Sequence, residues 1–209
     1  MNAIIVIADI VKSKEIVNRN QFQSELKLEL DAITSSSKDI LSPYTITLGD
    51  EFQAVYSKSE GLLLDIFRIL VKVYPVLVRF AISWGEITTQ VNKTASIGMD
   101  GPGFYVAREG MTHLKRLDYS VVQFYGDLLP DIDLMNTSLR LCFSVMSNWK
   151  ENTLRIFNAL LNGKPVRIIA PDLNISERGV YKTINTHHLR NFVDYFISME
   201  SEFKRKIFD

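Results

Sequence analysis

The amino-acid sequence predicts an α+β protein, in which a sheet domain is followed by a small all-helical domain. Residues 3–10 form a continuous apolar run rich in Ile and Val, which is typical of a buried central strand. Helical and strand patterns alternate after it as far as Tyr125. From Thr153 onward the apolar residues recur at helical spacing. These three observations place the sheet in the first part of the chain and the helical domain in the second.

The first part of the chain contains a clear series of elements. Gly49-Asp50 marks the turn of a hairpin, and Pro75 ends a helix because proline cannot continue one. The predicted elements are a strand over 3–10, a helix over 20–34, a hairpin over 45–56, a helix over 62–73, a strand over 76–87, a helix over 104–117 and a strand over 120–125. This order is β-α-β-β-α-β with additions, which predicts a ferredoxin-like antiparallel sheet with its helices on one face.

The second part of the chain predicts three consecutive helices. The first runs over 153–161 and ends at Asn162-Gly163, a favourable C-terminal cap. The second begins near Pro165 and continues through Leu173. Ser176 is a favourable N-terminal cap for the third, because its side chain can accept a hydrogen bond from the first turn.

The boundary between the two predicted domains falls near Asn148, so that they cover residues 1–148 and 149–209. The preceding stretch, residues 126–150, contains Pro130 and has no clear periodicity. Residues 149–209 hold ten Lys or Arg against seven Asp or Glu, although the whole chain has a formal net charge of zero. This small excess is compatible with a nucleic-acid contact and does not establish one.

The composition predicts a folded cytoplasmic protein. Hydrophobic residues make up 46% of the chain and charged residues 23%, the balance of an ordinary globular protein. The single cysteine, Cys142, has no partner for an internal disulfide, which fits a reducing compartment. The sequence shows no signal peptide and no apolar segment of membrane-spanning length, so we expect no membrane contact.

Three carboxylates are predicted to meet at one edge of the sheet. Asp9 stands at the end of the first strand, and Asp50 and Glu51 stand at the tip of the hairpin. Carboxylates from neighbouring strands are the ligands with which proteins hold Mg²⁺ or Mn²⁺ against a nucleoside triphosphate. The alternative is purely structural, with Asp9 capping a loop and Gly49-Asp50 forming only a tight turn.

Several segments resemble known families. Three of them, in this order, resemble the class III nucleotide cyclases: Thr45–Tyr56, Val78–Ile87 and Ile97–Arg108. A second set resembles the SatD-like family of bacterial proteins more closely: Ala8–Ser13, Gly49–Gln53 and Asp100–Arg108. The resemblance covers about residues 3–125 and implies a cyclase-like palm that binds a nucleotide.

The cyclase resemblance implies roles for individual residues. Asp9 and Asp50 match the metal-binding aspartates, and the backbone carbonyl of Ile10 matches a further ligand. Glu51 would assist them, as in the related diguanylate cyclases. Arg108 matches the arginine of the cyclase helix and would complete the catalytic set.

Residues around the carboxylates match the cyclase pattern less well. Gly49, Lys12 and Lys14 would lie near the phosphates, although Lys12 and Lys14 are equally compatible with solvated loop lysines. Ile46 stands where the cyclases have the lysine that reads the purine, and Phe104 replaces the asparagine that positions the ribose. These two departures argue against ordinary conversion of ATP to cyclic AMP.

Residues 155–184 resemble the helix-turn-helix of bacterial regulators. The residues that would contact DNA are Lys164 and Arg167 at phosphates, with Arg178, Tyr181 and Lys182 in a groove. Pro171 in the second helix and Gly179 in the third depart from the usual pattern. They leave open the alternative that this region mediates protein contacts.

Three classes of function therefore remain at the level of sequence. The leading hypothesis is a homodimeric regulator that binds a nucleotide with Mg²⁺ or Mn²⁺ and binds DNA through residues 150–209. The first alternative is an active nucleotidyl cyclase or transferase. The second is a degenerate palm that serves as a dimerisation scaffold.

Overall fold

The computed structural model describes residues 1–47, 49–117, 121–126 and 131–208, which form a five-stranded sheet surrounded by helices. The strands are β1 (Asn2–Ile10), β2 (Ile40–Ile46), β3 (Glu51–Tyr56), β4 (Val78–Glu86) and β5 (Val122–Tyr125). The helices are α1 (Arg19–Ser36), α2 (Leu62–Val73), α3 (Pro102–Leu114), α4 (Ile132–Met146), α5 (Glu151–Leu161), α6 (Val166–Asp172), α7 (Glu177–Thr186) and α8 (Leu189–Phe208). Leu48 in the predicted hairpin, Ser120 at the start of the last predicted strand, and Pro130 lie outside the described residues.

The centre of the sheet is β1, whose side chains from Ala3 to Ala8 are apolar on both faces. The strand order is β2-β3-β1-β4-β5. β1 pairs antiparallel with β3 and with β4, whereas β4 and β5 are parallel. The predicted antiparallel sheet is therefore wrong at β5, and the sheet is mixed. The reason is that α3 carries the chain back across the sheet, and such a crossover connection produces a parallel strand.

Helices pack on both faces of the sheet, so the prediction of helices on one face is wrong. Four residues of β1 face a core shared with α1 and α2, namely Ile4, Val6, Ala8 and Ile10. Ile5 and Ile7 point to the opposite face, where they pack with α3. The backbones of α3 and β4 approach closely, because a Cβ added to Gly85 would lie 2.7 Å from the Cα of Gly103. This pair of glycines sets how α3 lies against the sheet.

The helices after the sheet join its core through Phe67 of α2. Phe67 is fully buried. Its ring centroid lies 4.9 Å from that of Phe157 in α5 and 4.7 Å from that of Phe196 in α8. Buried aromatic rings from both predicted domains are thus in direct contact, and the proposed boundary near Asn148 stays a prediction.

The helices α5, α6 and α7 lie where the sequence predicts helices. The side chain of Ser176 accepts a hydrogen bond from the Gly179 N–H at 3.1 Å, which caps α7 as expected. None of the described helices is both long enough and apolar enough to cross a membrane.

The helix α4 lies in the stretch for which the sequence showed no clear periodicity. Its buried side chains include Met135, Leu139 and Phe143. Leu134 and Leu141 are apolar as well, but they are 71% and 67% exposed. Apolar residues on both sides of this helix obscure the pattern that would otherwise reveal it.

Candidate functional site

Asp9 and two other charged residues lie side by side on three neighbouring strands. In the antiparallel register, Asp9 of β1 is opposite Glu51 of β3 and opposite Arg79 of β4. Directly opposed residues on antiparallel strands place their side chains on the same face of the sheet. Asp9 is only 7% exposed, so its carboxylate is largely removed from water and needs charged or hydrogen-bonding partners.

Lys115, the residue after α3, provides the main partner for this carboxylate. Its Nζ lies 2.7 Å from Oδ1 of Asp9 and 3.1 Å from Oε1 of Glu51. A guanidinium nitrogen of Arg79 lies 3.8 Å from Oδ2 of Asp9. Burial disfavours the charged ammonium, but the hydrogen bonds and the charges of the two carboxylates outweigh burial and raise the pKa of Lys115. Two carboxylates therefore converge on one cation.

Asp50 is positioned by the chain that follows β1. The Ile10 N–H donates a hydrogen bond to the backbone oxygen of Asp50 at 2.8 Å, and the side chain of Ile10 is buried in the core. The Ser13 hydroxyl donates to Oδ2 of Asp50 at 3.2 Å. The structure thus places Asp50 beside the end of β1, with Ser13 as the partner of its carboxylate.

Gly49 forms the turn that precedes Asp50. Its φ is 73°, in the left-handed region that favours glycine. The side chains of Gln23 and Arg19, both on α1, donate hydrogen bonds to its carbonyl oxygen at 2.8 and 3.4 Å. α1 therefore fixes the hairpin tip that carries Asp50 and Glu51.

The other residues predicted for this site lie outside the carboxylate cluster. Lys12 is exposed, and its ammonium lies 3.4 Å from the carboxylate of Glu15. Lys14 is exposed as well. Arg108 is on the exposed side of α3, and seven residues of helix separate it from Lys115 by about 10 Å along the axis. Within the described part of the chain, no ion pair or hydrogen bond joins the Arg108 guanidinium to Asp9, Asp50 or Glu51, and its catalytic role stays a prediction.

The predicted DNA contacts lie on the surfaces of α6 and α7. All five of them are exposed residues, namely Lys164, which precedes α6, and Arg167, Arg178, Tyr181 and Lys182. The ammonium of Lys164 lies 3.3 Å from the carboxylate of Asp172. Val180 and Ile184 on the inner side of α7 are buried. The two sides of α7 thus differ sharply in polarity.

The carboxylate cluster fits a divalent cation that brings ligands of its own. Among the residues that the structure describes, no three Asp, Glu, His or Cys side chains are grouped so as to hold a metal ion. The positively charged ammonium of Lys115 nevertheless occupies the place between Asp9 and Glu51 where a metal ion would bind. Mg²⁺ is commonly held by one or two carboxylates, with water and phosphate oxygens completing its shell. The pair therefore suits a cation bound together with phosphates.

Fold and site together define a mixed-sheet α+β protein with a charged cluster at the end of its central strand. A family model described as the SatD family matches residues 3–178. The chain belongs to this family. The match continues past Asn148 and includes α5 and α6.

Comparisons with individual proteins add little detail. No curated protein matches the chain. Among solved structures, the chain is similar to that of a bacterial light-regulated adenylyl cyclase, with 18% sequence identity and a TM-score of 0.42. The match covers 64% of this chain and 44% of the cyclase chain, so this protein spans less than half the length of the cyclase.

Proposed function

We propose that the chain is a nucleotide-binding regulator that holds a nucleoside triphosphate with Mg²⁺ or Mn²⁺ at Asp9 and Glu51, with Asp50 joining them once its carboxylate is released from Ser13. The observation that carries this proposal is the convergence of Asp9 and Glu51 on a single cation, at 2.7 and 3.1 Å. The divalent ion, when bound, would neutralise phosphate charge. The backbone carbonyl of Ile10 would be a further ligand.

The loop after β1 would supply contacts to the phosphates. Lys12 and Lys14 flank Ser13, which hydrogen-bonds the carboxylate of Asp50. Gly49, the residue before Asp50, has no side chain, so its backbone leaves room for phosphates next to Asp50. These groups would let a polyphosphate approach the carboxylates without a large electrostatic penalty.

We favour binding over turnover. The antiparallel strands β2, β3, β1 and β4 have the order of a ferredoxin-like palm, which supports a cyclase-like ancestry. Phe104, however, is fully buried, so it offers a bound ribose no polar group. Ile46 is apolar, and Arg108 makes no ion pair with the cluster among the described residues. An active cyclase or transferase is the alternative that product analysis would reveal, and a palm that only dimerises is the other.

Nucleotide binding is tested by thermal unfolding of the purified protein. A triphosphate with Mg²⁺ at a hundredfold excess over its Kd should add about 2.7 kcal/mol, which raises the Tm by roughly 5–10 °C. Asp50→Asn should abolish this shift, and Asp194→Asn, on an exposed residue of α8, should keep it. An unchanged Tm across a panel of nucleotides would favour the scaffold alternative.

We also propose that α6 and α7 contact DNA. The exposed residues Arg167, Arg178, Tyr181 and Lys182 support this proposal, because cationic and polar side chains on one helix pair are the usual means of contacting phosphates and bases. Lys164 would join them once released from Asp172. A single helix pair with so few cations binds weakly, so we expect a homodimer that presents two pairs to successive major grooves.

Gel-shift assays with genomic fragments test the DNA proposal. The intact protein should bind at low salt, and binding should fall steeply as salt rises because counterions are released. The Arg178→Ala/Lys182→Ala double variant should bind at least about tenfold more weakly. If the two proteins bind alike, α6 and α7 are a protein-contact surface.

A further inference from the structure

Lys115 reaches the carboxylate pair from a rigid base. Its N–H donates to the Met111 carbonyl at 3.0 Å, and Met111 and Leu114 are buried against the sheet. The backbone of Lys115 is therefore fixed at the end of α3. Its side chain, by contrast, is a flexible stem that can place the ammonium in more than one position.

Among Lys115, Asp9 and Glu51, the side chain of Lys115 is the most exposed. The side chain of Lys115 is 39% exposed, whereas that of Asp9 is 10% exposed and that of Glu51 is 30% exposed. A cation arriving from solvent would thus meet Lys115 before it met Asp9. Asp9 itself cannot lose every cationic partner, because a buried carboxylate without one is strongly destabilising.

We propose that Lys115 is a tethered cation that occupies the Asp9–Glu51 pair until a metal–phosphate complex displaces it, after which its ammonium binds the phosphates. This inference rests on the proposed function. An ammonium and a divalent ion repel each other and cannot share the space between the same two oxygens. Because Lys115 is tethered, its effective concentration at the pair is high, and a metal ion alone competes poorly.

Phosphates change the balance of this competition. A metal ion that arrives with a polyphosphate gives the displaced ammonium an anionic partner. When the metal ion replaces the ammonium between the two carboxylates, the carboxylates pair with the metal ion and the ammonium pairs with the phosphates. Lys115 would in this way make the site selective for a metal–phosphate complex over the metal ion alone. Removal of the Lys115 charge should raise the affinity for the metal ion alone and lower the affinity for the metal–phosphate complex.

The test measures binding of Mn²⁺ alone, by electron paramagnetic resonance, and of Mn²⁺ with inorganic triphosphate, by calorimetry, to the full chain. Lys115→Gln should bind Mn²⁺ alone at least about tenfold more tightly than the wild type does. A tenfold change in affinity corresponds to about 1.4 kcal/mol of binding free energy. The same variant should bind the Mn²⁺–triphosphate complex about tenfold more weakly. Arg116→Gln is the matched control, because it removes one charge from the next residue, which is exposed, and should change neither affinity.

A second variant decides the matter if Lys115→Gln does not fold. Lys115→Arg keeps the charge, and its planar fork suits two carboxylates, so its affinity for Mn²⁺ alone should equal or fall below that of the wild type. Tighter Mn²⁺ binding by Lys115→Arg would overturn the inference.

Failure of the inference and failure of the proposed function give different results. If the wild type and Lys115→Gln bind both ligands alike, and Asp9→Asn abolishes binding, the metal site stands and the role of Lys115 is wrong. If none of these proteins binds Mn²⁺ with or without triphosphate, the proposed function fails and the inference fails with it.

Discussion

Phe67→Ala is expected to lower the free energy of unfolding by about 4 kcal/mol, because it removes a large aromatic side chain from a fully packed position. Phe67 has no exposed surface, and its ring lies against those of Phe157 and Phe196, with Phe143 at a centroid distance of 6.0 Å. Three helices would line the resulting cavity. Urea unfolding followed by circular dichroism measures the change.

The same experiment shows whether the two predicted domains unfold separately. Because the Phe67 cluster joins α2 to α5 and α8, we expect one transition, which Phe67→Ala and Phe157→Ala both move to lower urea. Leu28→Ala, at a position that is 69% exposed, should change the free energy of unfolding by less than about 0.5 kcal/mol. Two separate transitions, each shifted by only one of the core variants, would instead support independent domains that meet near Asn148.

A strong pH dependence is expected from two carboxyl groups at the start of α2. Oε1 of Glu200, on α8, accepts a hydrogen bond from the Leu63 N–H at 3.4 Å. Burial raises the pKa of Glu200 to about 7, an effect that backbone hydrogen bonds oppose and that the charge of Asp65 increases. Burial likewise raises the pKa of Asp65 to about 6, although the Tyr56 hydroxyl donates a hydrogen bond to it at 3.0 Å.

The sign of the effect follows from where the proton binds more tightly. The ordinary pKa values of Glu200 and Asp65 are 4.5 and 3.8, so the folded protein holds both protons more tightly than the unfolded chain does. Their contribution to stability is therefore fully present below the ordinary values and is lost as the pH rises towards about 7. Between about pH 5 and pH 8, we expect these two groups together to lower the free energy of unfolding by roughly 4 kcal/mol.

Glu200→Gln isolates the larger part of this effect. The variant should be more stable than the wild type by roughly 3 kcal/mol near pH 8, and the difference should vanish as the pH falls below the ordinary pKa of 4.5. Glu109→Gln, at an exposed position of α3, should leave the pH profile unchanged. Parallel profiles for the wild type and Glu200→Gln would show that Glu200 does not titrate in this range.

Local sequence patterns were sufficient to predict those helices and strands whose start and end depend on residues close by in the chain. The helix α2 begins and ends where predicted, at Leu62 and Val73, because an apolar segment there is closed by Pro75. The direction of β5 and the face on which α3 packs were predicted wrongly. Both depend on how a distant helix crosses the sheet, and the close approach of Gly85 and Gly103 that sets this crossing leaves no periodic signal.

The candidate site shows the same division between local and distant information. The sequence predicted Asp9 beside Asp50, with Glu51 assisting, because Asp9 ends a strand and the other two stand at the tip of a neighbouring hairpin. The structure sets Glu51 directly opposite Asp9. Lys115 was missed, since its contact with Glu51 spans 64 residues and depends on the packing of α3. Arg79 was missed because a single arginine within an apolar strand does not reveal from the sequence which residue it pairs with. The register that sets it opposite Asp9 is visible only in the folded sheet.

The most direct test of the proposed function is a crystal structure of the full chain with Mn²⁺ and a non-hydrolysable nucleoside triphosphate. The proposal predicts an anomalous peak within about 2.5 Å of carboxylate oxygens of Asp9 and Glu51, with the phosphates completing its shell. The Lys115 ammonium should have moved from Asp9 to a phosphate oxygen. A bound triphosphate away from Asp9, with Lys115 still between the two carboxylates, would contradict the proposal.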